Sequence, residues 1–516
     1  MKNLVVCCDG TWNTPDQEKN DRVTPTNVVK LYNAVDTEPS EVLQEVYYHS
    51  GVGTEGRLLE RSAGGMYGLG LSKNIMSAYL WLAQRYAPGD RIYLFGFSRG
   101  AFTVRSLSGF LARCGLLGVS DLTTGDAYAR VEAAYQKGYR QEDGADWNPD
   151  AWPLIAPAPA PVHFIGVWDT VGAMGIPDDL ALLNLLDKPQ NWRFHDDHLA
   201  GNVSFARHAV ALDERRASFT ATLWTDPVTN APCPNCERVK QLWFPGVHCD
   251  VGGGYGDCGL SDIALEWMMG EAAAKGLRFR PAMVAQLKPD PRGPLHDSVC
   301  GVFEALRTRP RNIPCFPDSQ GLHPSAVDRH RNPPIEQAPY HRTLRLAPGQ
   351  TASLAVYARD HWFPTGLYLD AGGTYQFRAS GEWLDSTIPC GPSGMRDGKF
   401  HLGETVHLVA SIAGEAENLF KRLTGNQSAD FWGTRRIESI PWFALTGALA
   451  NDGPGNGPAN PANDGSPHAH QYFLIGDGPV SLPVGKPGYL YAFANDAWAF
   501  YHNNHGCVTL ECRRLA

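Results

Sequence analysis

The sequence predicts an α/β protein with a mostly parallel central sheet, followed by an all-β sandwich of jelly-roll-like type. Three observations predict it. Residues 1–338 alternate short apolar β runs with amphipathic helical segments. Residues 339–516 lose the helical period and show short β runs between Gly, Pro, Asn and Asp turns. Glycine (54) and proline (38) make up more than one residue in six of the 516, against a usual ~12%, which demands many turns and close backbone contacts.

The elements follow in order. Leu4–Cys8 is an apolar strand that runs into Asp9-Gly10-Thr11-Trp12-Asn13. Asn74–Tyr86 places Ile75, Tyr79, Leu82 and Tyr86 on one helical face, and Pro88-Gly89-Asp90 ends it. Arg91–Phe95 reads as a strand and Ala101–Leu111 as a helix. Val162–Trp168 and Val239–Phe244 read as buried strands, and Ser261 as the cap of a helix carrying Ala264, Leu265 and Met268 inward. In the second half the β runs are Ser353–Tyr357, Thr374–Ala379, Thr405–Val409, Gln471–Ile475, Gly488–Ala494 and Cys507–Cys512. Asn451–Gly465 is a low-complexity loop among them.

Composition excludes several classes. Charged residues are 19% and hydrophobic residues 43%, which argues against a disordered chain or a coiled coil. A net charge of −9 without a basic stripe argues against a nucleic-acid partner and against electrostatic attraction to anionic lipid. No apolar run approaches the ~20 residues of a membrane span, and Met1–Gly10 is too short in apolar residues for a signal peptide. Cys233 and Cys236 form one C-x-x-C without a second pair to complete a zinc site; the pair reads as two loop thiols.

The strongest chemical signal is Gly96-Phe97-Ser98-Arg99-Gly100, a G-x-S-x-G that directly follows the strand Arg91–Phe95 and directly opens the helix Ala101–Leu111. That context makes it the nucleophile elbow of an α/β-hydrolase, with Ser98 at the C-terminal edge of the sheet. A serine hydroxyl needs a base, and the base needs an orienting acid, in the chain order Ser, acid, His. Asp169 follows the strand Phe164–Trp168, and His248 follows the strand Gln241–Phe244 in a glycine-rich loop. Ser98, Asp169 and His248 are the expected catalytic set. His208 with Asp213 is the rival pair, in a segment that reads as a helix or strand bracing the core. His163 lies at a strand start, the wrong edge, and Asp250 reads as a brace of the His248 loop. The oxyanion donors expected are the amides of Arg99 and of Gly10 and Thr11.

Taken together, Asp9-Gly10-Thr11-x-Asn13, Gly51-Val52-Gly53-Thr54, Gly96–Ala101, Gly166–Gly172 and Gly246-Val247-His248-x-Asp250–Tyr255 resemble the α/β-hydrolase family that contains the first class of type VI secretion phospholipase effectors. The resemblance covers about residues 1–335. It implies hydrolysis of glycerophospholipid acyl esters, A1 or A2 type, in a rival bacterium's membrane. It implies an immunity protein and a secretion spike protein as partners, synthesis in a bacterial cytoplasm without a signal peptide, and delivery to the target periplasm. It implies no cofactor for catalysis. The segments 58–71 and 173–192 have the composition of a lid. Two other functions fit the residues: a soluble-ester or polyester hydrolase, and a carbohydrate-binding protein with an inert hydrolase half.

In the second half, Gly373–Trp383, Tyr491–Asp496 and Phe500-Tyr501-x-Asn503-Asn504-x-Gly506 resemble the calcium-dependent galactose-binding bacterial lectin. That resemblance implies Ca²⁺ held by Asp496, Asn503, Asn504 and the Phe500 carbonyl, with carbohydrate as a ligand. Oxygen ligands on one loop suit Ca²⁺; the reading against it is an Asn-rich hairpin bonded to its own backbone.

Overall fold

The computed structural model describes residues 1–10, 18–19, 22–51, 65–140, 148, 152–171, 198–226, 232–300, 307–394, 436–437, 439–451 and 470–516. The chain divides into two compact units, residues 1–298 with 320–338, and a second that takes in 299–319 and the residues from 339 onward.

The first unit is built on six strands: β1 (Lys2–Cys8), β2 (Leu43–His49), β3 (Arg91–Phe97), β4 (Val162–Trp168), β5 (Val203–Ala211) and β6 (Val239–Phe244), in the order β6-β5-β4-β3-β1-β2. Every pairing is parallel. A parallel sheet must be covered on both faces, and alternation along β1 supplies both. Leu4 and Val6 join Tyr79, Leu82, Val104 and Phe110 on one side. Val5 and Cys7 join Leu31, Phe95, Ile263 and Met268 on the other.

The helices that cover the sheet are α1 (Asn27–Ala34), α2 (Gly65–Arg85), α3 (Arg99–Cys114), α4 (Thr124–Ala134), α5 (His248–Gly252) and α6 (Gly259–Ala273). The strand Arg91–Phe95 and the helix Ala101–Leu111 expected from sequence lie within β3 and α3. Ser261 is not the cap of α6: Cys258 is, and the Ser261 hydroxyl donates to the Cys258 carbonyl at 3.1 Å from inside the first turn. The His208 segment is the strand β5. Of the segments with the composition of a lid, 173–192 and residues 58–64 lie outside the described residues, as does Thr405–Val409, and residues 65–71 begin α2.

Register aligns the strand ends. Cys8 pairs with Gly96, Phe97 with Trp168, Trp168 with Ala209, and Ala211 with Phe244. The loops after β1, β3, β4, β5 and β6 therefore leave the sheet at one edge, where open α/β sheets place their ligands.

In the second unit, β7 (Thr351–Tyr357), β9 (Thr374–Asp385), β10 (Ile388–Cys390), β13 (Val480–Pro483) and β15 (Asn504–Arg514) form a five-stranded sheet. A four-stranded sheet contains β8 (Phe363–Leu369), β11 (Leu445–Ala450), β12 (Gln471–Leu474) and β14 (Gly488–Ala494). All pairings are antiparallel. Val356, Phe377 and Leu510 of the first sheet share one core with Leu367, Leu445 and Leu490 of the second, which is the sandwich expected of this half.

One contact sets how closely α3 approaches β1. A Cβ on Gly100 would lie 2.1 Å from the Cys8 carbonyl oxygen. Gly270 in α6 is exposed, with nothing within 4 Å of its added Cβ. Gly100→Ala should cost about 3 kcal/mol or more, while Gly270→Ala should add about 0.5–1 kcal/mol through helix propensity. Urea unfolding of the two variants side by side checks both signs.

Candidate functional site

Ser98 stands between β3 and α3 with φ 57° and ψ −122°. Its amide donates to the Trp168 carbonyl at 3.1 Å, and its carbonyl accepts the Phe102 N–H at 3.2 Å. The residue is pinned on both sides in a conformation that L-residues avoid. The geometry is that of the strand-to-helix elbow, with the serine at the first turn of α3, where the helix dipole favours negative charge. Ser98 is 6% exposed, and among the described residues its hydroxyl takes no hydrogen-bond partner.

Asp169 follows β4 directly and also has positive φ, 37°. It is fully buried. Its N–H donates to the Ala209 carbonyl at 2.8 Å, and its Oδ1 accepts the Ala211 N–H at 2.9 Å. Its Oδ2 meets His248 Nδ1 at 2.5 Å. One carboxyl oxygen is thus fixed by β5 and the other is aimed at the imidazole. A carboxylate on Nδ1 leaves Nε2 as the nitrogen that can take a proton.

His248 is the first residue of α5 and is buried. Its ring contacts two phenyl rings, Phe97 with centroids at 4.6 Å and Phe219, edge-on, at 5.0 Å. A Cβ on Gly252 would meet the Phe97 ring at 2.0 Å, so the bare backbone of α5 lets the imidazole pack beside the elbow. Burial pushes the proton affinity of His248 below the ordinary histidine range, and the Asp169 hydrogen bond and charge oppose that shift. The structure therefore brings the Asp169–His248 pair together beside the residue that precedes Ser98.

The rivals resolve into bracing roles. His208 accepts the Thr170 N–H on Nε2 and meets Gln241 Oε1 through Nδ1. Asp213 accepts the Gly246 N–H at 2.7 Å. His163 Nε2 sits on the Lys275 carbonyl. Asp250 accepts the Val247 N–H and the His296 side chain, which ties down the His248 loop.

Of the oxyanion candidates, Arg99 opens α3. The Gly10 N–H donates to Asp9 Oδ1 at 2.7 Å, and Thr11 lies outside the described residues. The Asp9 carboxylate, read from the sequence as the alternative cap of this loop, also accepts the Thr26 and Tyr48 hydroxyls at 2.7 and 2.9 Å. The negative charge of Asp9 and its hydrogen bond help burial push the Tyr48 phenol up.

In the second unit, Asp496 is buried and its Oδ1 accepts the Ala497 N–H at 2.7 Å. A short 3-10 helix, Trp498–Asn503, carries Phe500 and delivers Asn503 and Asn504. The Oδ1 atoms of both asparagines are buried without a hydrogen-bond partner, as oxygen ligands of a hard cation would be. No group of three His, Cys, Asp or Glu side chains suited to a metal occurs among the described residues. Cys233 and Cys236 are free thiols.

The family described as "T6SS, Phospholipase effector Tle1-like, catalytic domain" matches residues 2–271. The chain belongs to this family. The uncharacterized protein YEL023C of Saccharomyces cerevisiae is 32% identical over 417 residues, covering 55% of this chain and 58% of that protein. Among solved structures, an uncharacterized protein from Pseudomonas aeruginosa is similar at 19% identity and a TM-score of 0.33, over 56% of this chain and 49% of the other. The Tle1 effector bound to the VgrG spike of the type 6 secretion system is similar at 19% identity and a TM-score of 0.27, over 50% of this chain and 51% of the other. The N-terminal domain of EclA, a PllA-like lectin, is similar at 16% identity and a TM-score of 0.18, over 31% of this chain and 94% of the other. The chain thus spans about half the length of the yeast relative and of the first two structures.

The backbone of Ser98 makes its own test. Positive φ costs a β-carbon residue about 1 kcal/mol or more that glycine does not bear. Ser98→Gly should therefore unfold at a higher temperature than Ser98→Ala, by about 1 kcal/mol in stability, and calorimetry of the two variants checks it.

Proposed function

We propose that residues 1–338 of this type VI effector family member are a serine hydrolase that cleaves acyl esters of glycerophospholipids, at the A1 or A2 position. The observation that carries the reading is the 2.5 Å contact from Asp169 Oδ2 to His248 Nδ1, buried beside a serine in the elbow conformation.

In this reading the Ser98 Oγ attacks the acyl carbonyl carbon while His248 Nε2 takes its proton. Asp169 stabilises the imidazolium that forms. The tetrahedral oxyanion is held by the Arg99 amide, at the positive end of α3, and by an amide of the Gly10–Thr11 turn. Because the Gly10 N–H donates to Asp9, we assign the second donor to Thr11. The carbon–oxygen bond to the lysolipid breaks and His248 returns the proton to the leaving alkoxide. Water then repeats the sequence on acyl-Ser98, which releases the fatty acid and restores the serine.

The family supports a target-cell membrane as the site of action, with synthesis in a bacterial cytoplasm and export by the type VI system. A secretion spike protein and an immunity protein are the partners we propose. Among the described residues no helix is long and apolar enough to cross a membrane, so lipid is proposed to reach the site from outside.

For the second unit we propose a Ca²⁺ ion held by Asp496, Asn503, Asn504 and the Phe500 carbonyl, with carbohydrate as its ligand. The unpartnered Asn503 and Asn504 oxygens support it. The ion would supply positive charge for sugar hydroxyls and takes no part in ester cleavage.

Two measurements test these readings. Fatty-acid release from phosphatidylethanolamine–phosphatidylglycerol vesicles should vanish in Ser98→Ala and fall about 10⁴-fold in Asp169→Asn. Undiminished release by Ser98→Ala sinks the assignment. Turnover of short soluble esters but not vesicles points to the soluble-ester alternative, and absence of fluorophosphonate labelling at Ser98 to an inert hydrolase half. For the cation, calcium should raise the unfolding temperature of the second unit in the full chain, and Asp496→Asn should abolish that rise. Equal melting with calcium and with chelator removes the ion from the proposal.

A further inference from the structure

Between β5 and β6 the chain runs Leu212-Asp213-Glu214-Arg215-Arg216 into a 3-10 turn, Ala217–Phe219. Glu214 and Arg216 are both buried, at 1% and 8% exposure. Arg216 binds the Glu214 carboxylate through two nitrogens, Nε to Oε1 at 3.0 Å and Nη2 to Oε2 at 2.7 Å. The Arg216 backbone N–H and the Ser298 hydroxyl donate to Oε1, each at 2.8 Å. The backbone N–H of His248 also donates to Oε2, at 3.3 Å.

The pair reaches His248 by a second route. The Arg216 guanidinium lies 3.5 Å from the centre of the Phe219 ring. Phe219 in turn meets the His248 ring edge-on, with an interplanar angle of 79°. Neither charged side chain makes a hydrogen bond to Ser98 or to the imidazole nitrogens. A buried ion pair is weak support for stability, because desolvation offsets most of its Coulomb gain. Its placement points instead to His248, whose backbone N–H it binds and whose ring it reaches through Phe219.

We propose that Glu214, Arg216 and Phe219 form a positioning clamp for His248, with Glu214 holding the backbone of α5, Phe219 fixing the plane of the imidazole against Phe97, and the opposed charges setting the field at the ring. The proposal rests on the reading of His248 as the base. Among the described residues the charges that act on the imidazole are Asp169 after β4 and the Glu214–Arg216 pair after β5; Arg216 lowers its proton affinity while Asp169 and Glu214 raise it. On α5 itself Cys249 and Asp250 follow His248, and Asp250 is engaged by His296 at 2.6 Å. Arg99 follows Ser98 on α3.

The test is the pH dependence of Ser98 labelling by a fluorophosphonate in the full chain, since the labelling rate follows neutral His248. Glu214→Gln removes a charge that raises the proton affinity, so the acid limb should move to lower pH by about half a unit or more. Arg216→Gln removes a charge that lowers it, so the limb should move to higher pH by a similar amount. The double variant should return the limb close to its original position, and Arg216→Lys, which keeps the charge but not the stacked plane, should leave it unmoved while slowing labelling. Phe219→Leu should slow labelling about tenfold or more at every pH. A merely structural brace would slow labelling in both single variants with the limb fixed; that result, or shifts in the same direction, overturns the proposal. Absence of labelling in the unmodified protein overturns the catalytic reading of Ser98 and this inference with it.

Discussion

The site depends on backbone packed against backbone where the elbow meets the first strand. With no side chain at Gly100, the first turn of α3 rests against the Cys8 and Asp9 carbonyls, which an added Cβ would approach at 2.1 and 2.6 Å. That approach holds Ser98 at φ 57° and puts β1 beside β3 at the same edge. Once β3 is fixed, its register with β4 sets where Asp169 emerges, and β5 fixes the carboxylate through the Ala211 N–H. The imidazole there packs against Phe97 of the elbow and meets the ring of Phe219 edge-on. The strain at Ser98 and at Asp169, both at positive φ, is tolerated because the sheet over-determines both positions.

Much of this was legible in the sequence, because Ser98 and Asp169 directly follow apolar strands and His248 comes four residues after one. A run such as Phe164–Trp168 announces its own end, and the next polar residue falls at the sheet edge. The strand the sequence does not reveal, and the one it leaves open between helix and strand, lack that signature. Leu43–His49 is half exposed along most of its length, so its Gln, Glu and His residues blur the apolar run. Val203–Ala211 carries Arg207 and His208 in its interior, both fully buried. They are tolerated because Arg207 pairs with Glu271 and with backbone carbonyls, while His208 is bonded on both ring nitrogens. Their side-chain partners Gln241 and Glu271 lie 33 and 64 residues away, which no local pattern shows. The same distance problem hid the Asp9 network, in which partners lie 17 and 39 residues along the chain. It also hid the transfer of residues 299–319 to the second unit.

The two units treat buried polar groups differently. In the first, the carboxylates of Asp9, Asp169, Glu214 and Asp250 each accept at least two hydrogen bonds. Each then acts as a fixed charge, because its lone pairs are occupied and its rotamer is set. Fixed charges are what a charge-separating reaction needs, since little reorganisation is left for the moment of proton transfer. In the second unit the Asn503 and Asn504 oxygens are buried and unmatched. An unmade hydrogen bond to a buried oxygen costs about 1–3 kcal/mol, so an arrangement of this kind is expected where something else binds.

The surroundings of His248 also bear on what reaches it. A ring in contact with two phenyl groups is desolvated, and that alone favours its neutral form. A neutral imidazole in an apolar slot is ready to act as a base, but its charged form would be costly there. Asp169 offsets that cost at Nδ1, leaving Nε2 for the proton transfer of the proposed reaction. The net charge of −9 gives no general attraction to an anionic lipid surface. In the proposed reaction, apolar surroundings beside the serine would select by transfer of the acyl chain out of water. In such a site the preference for a lipid ester over a soluble one would come from burial of methylenes, at about 0.8 kcal/mol each, rather than from the charge of a headgroup.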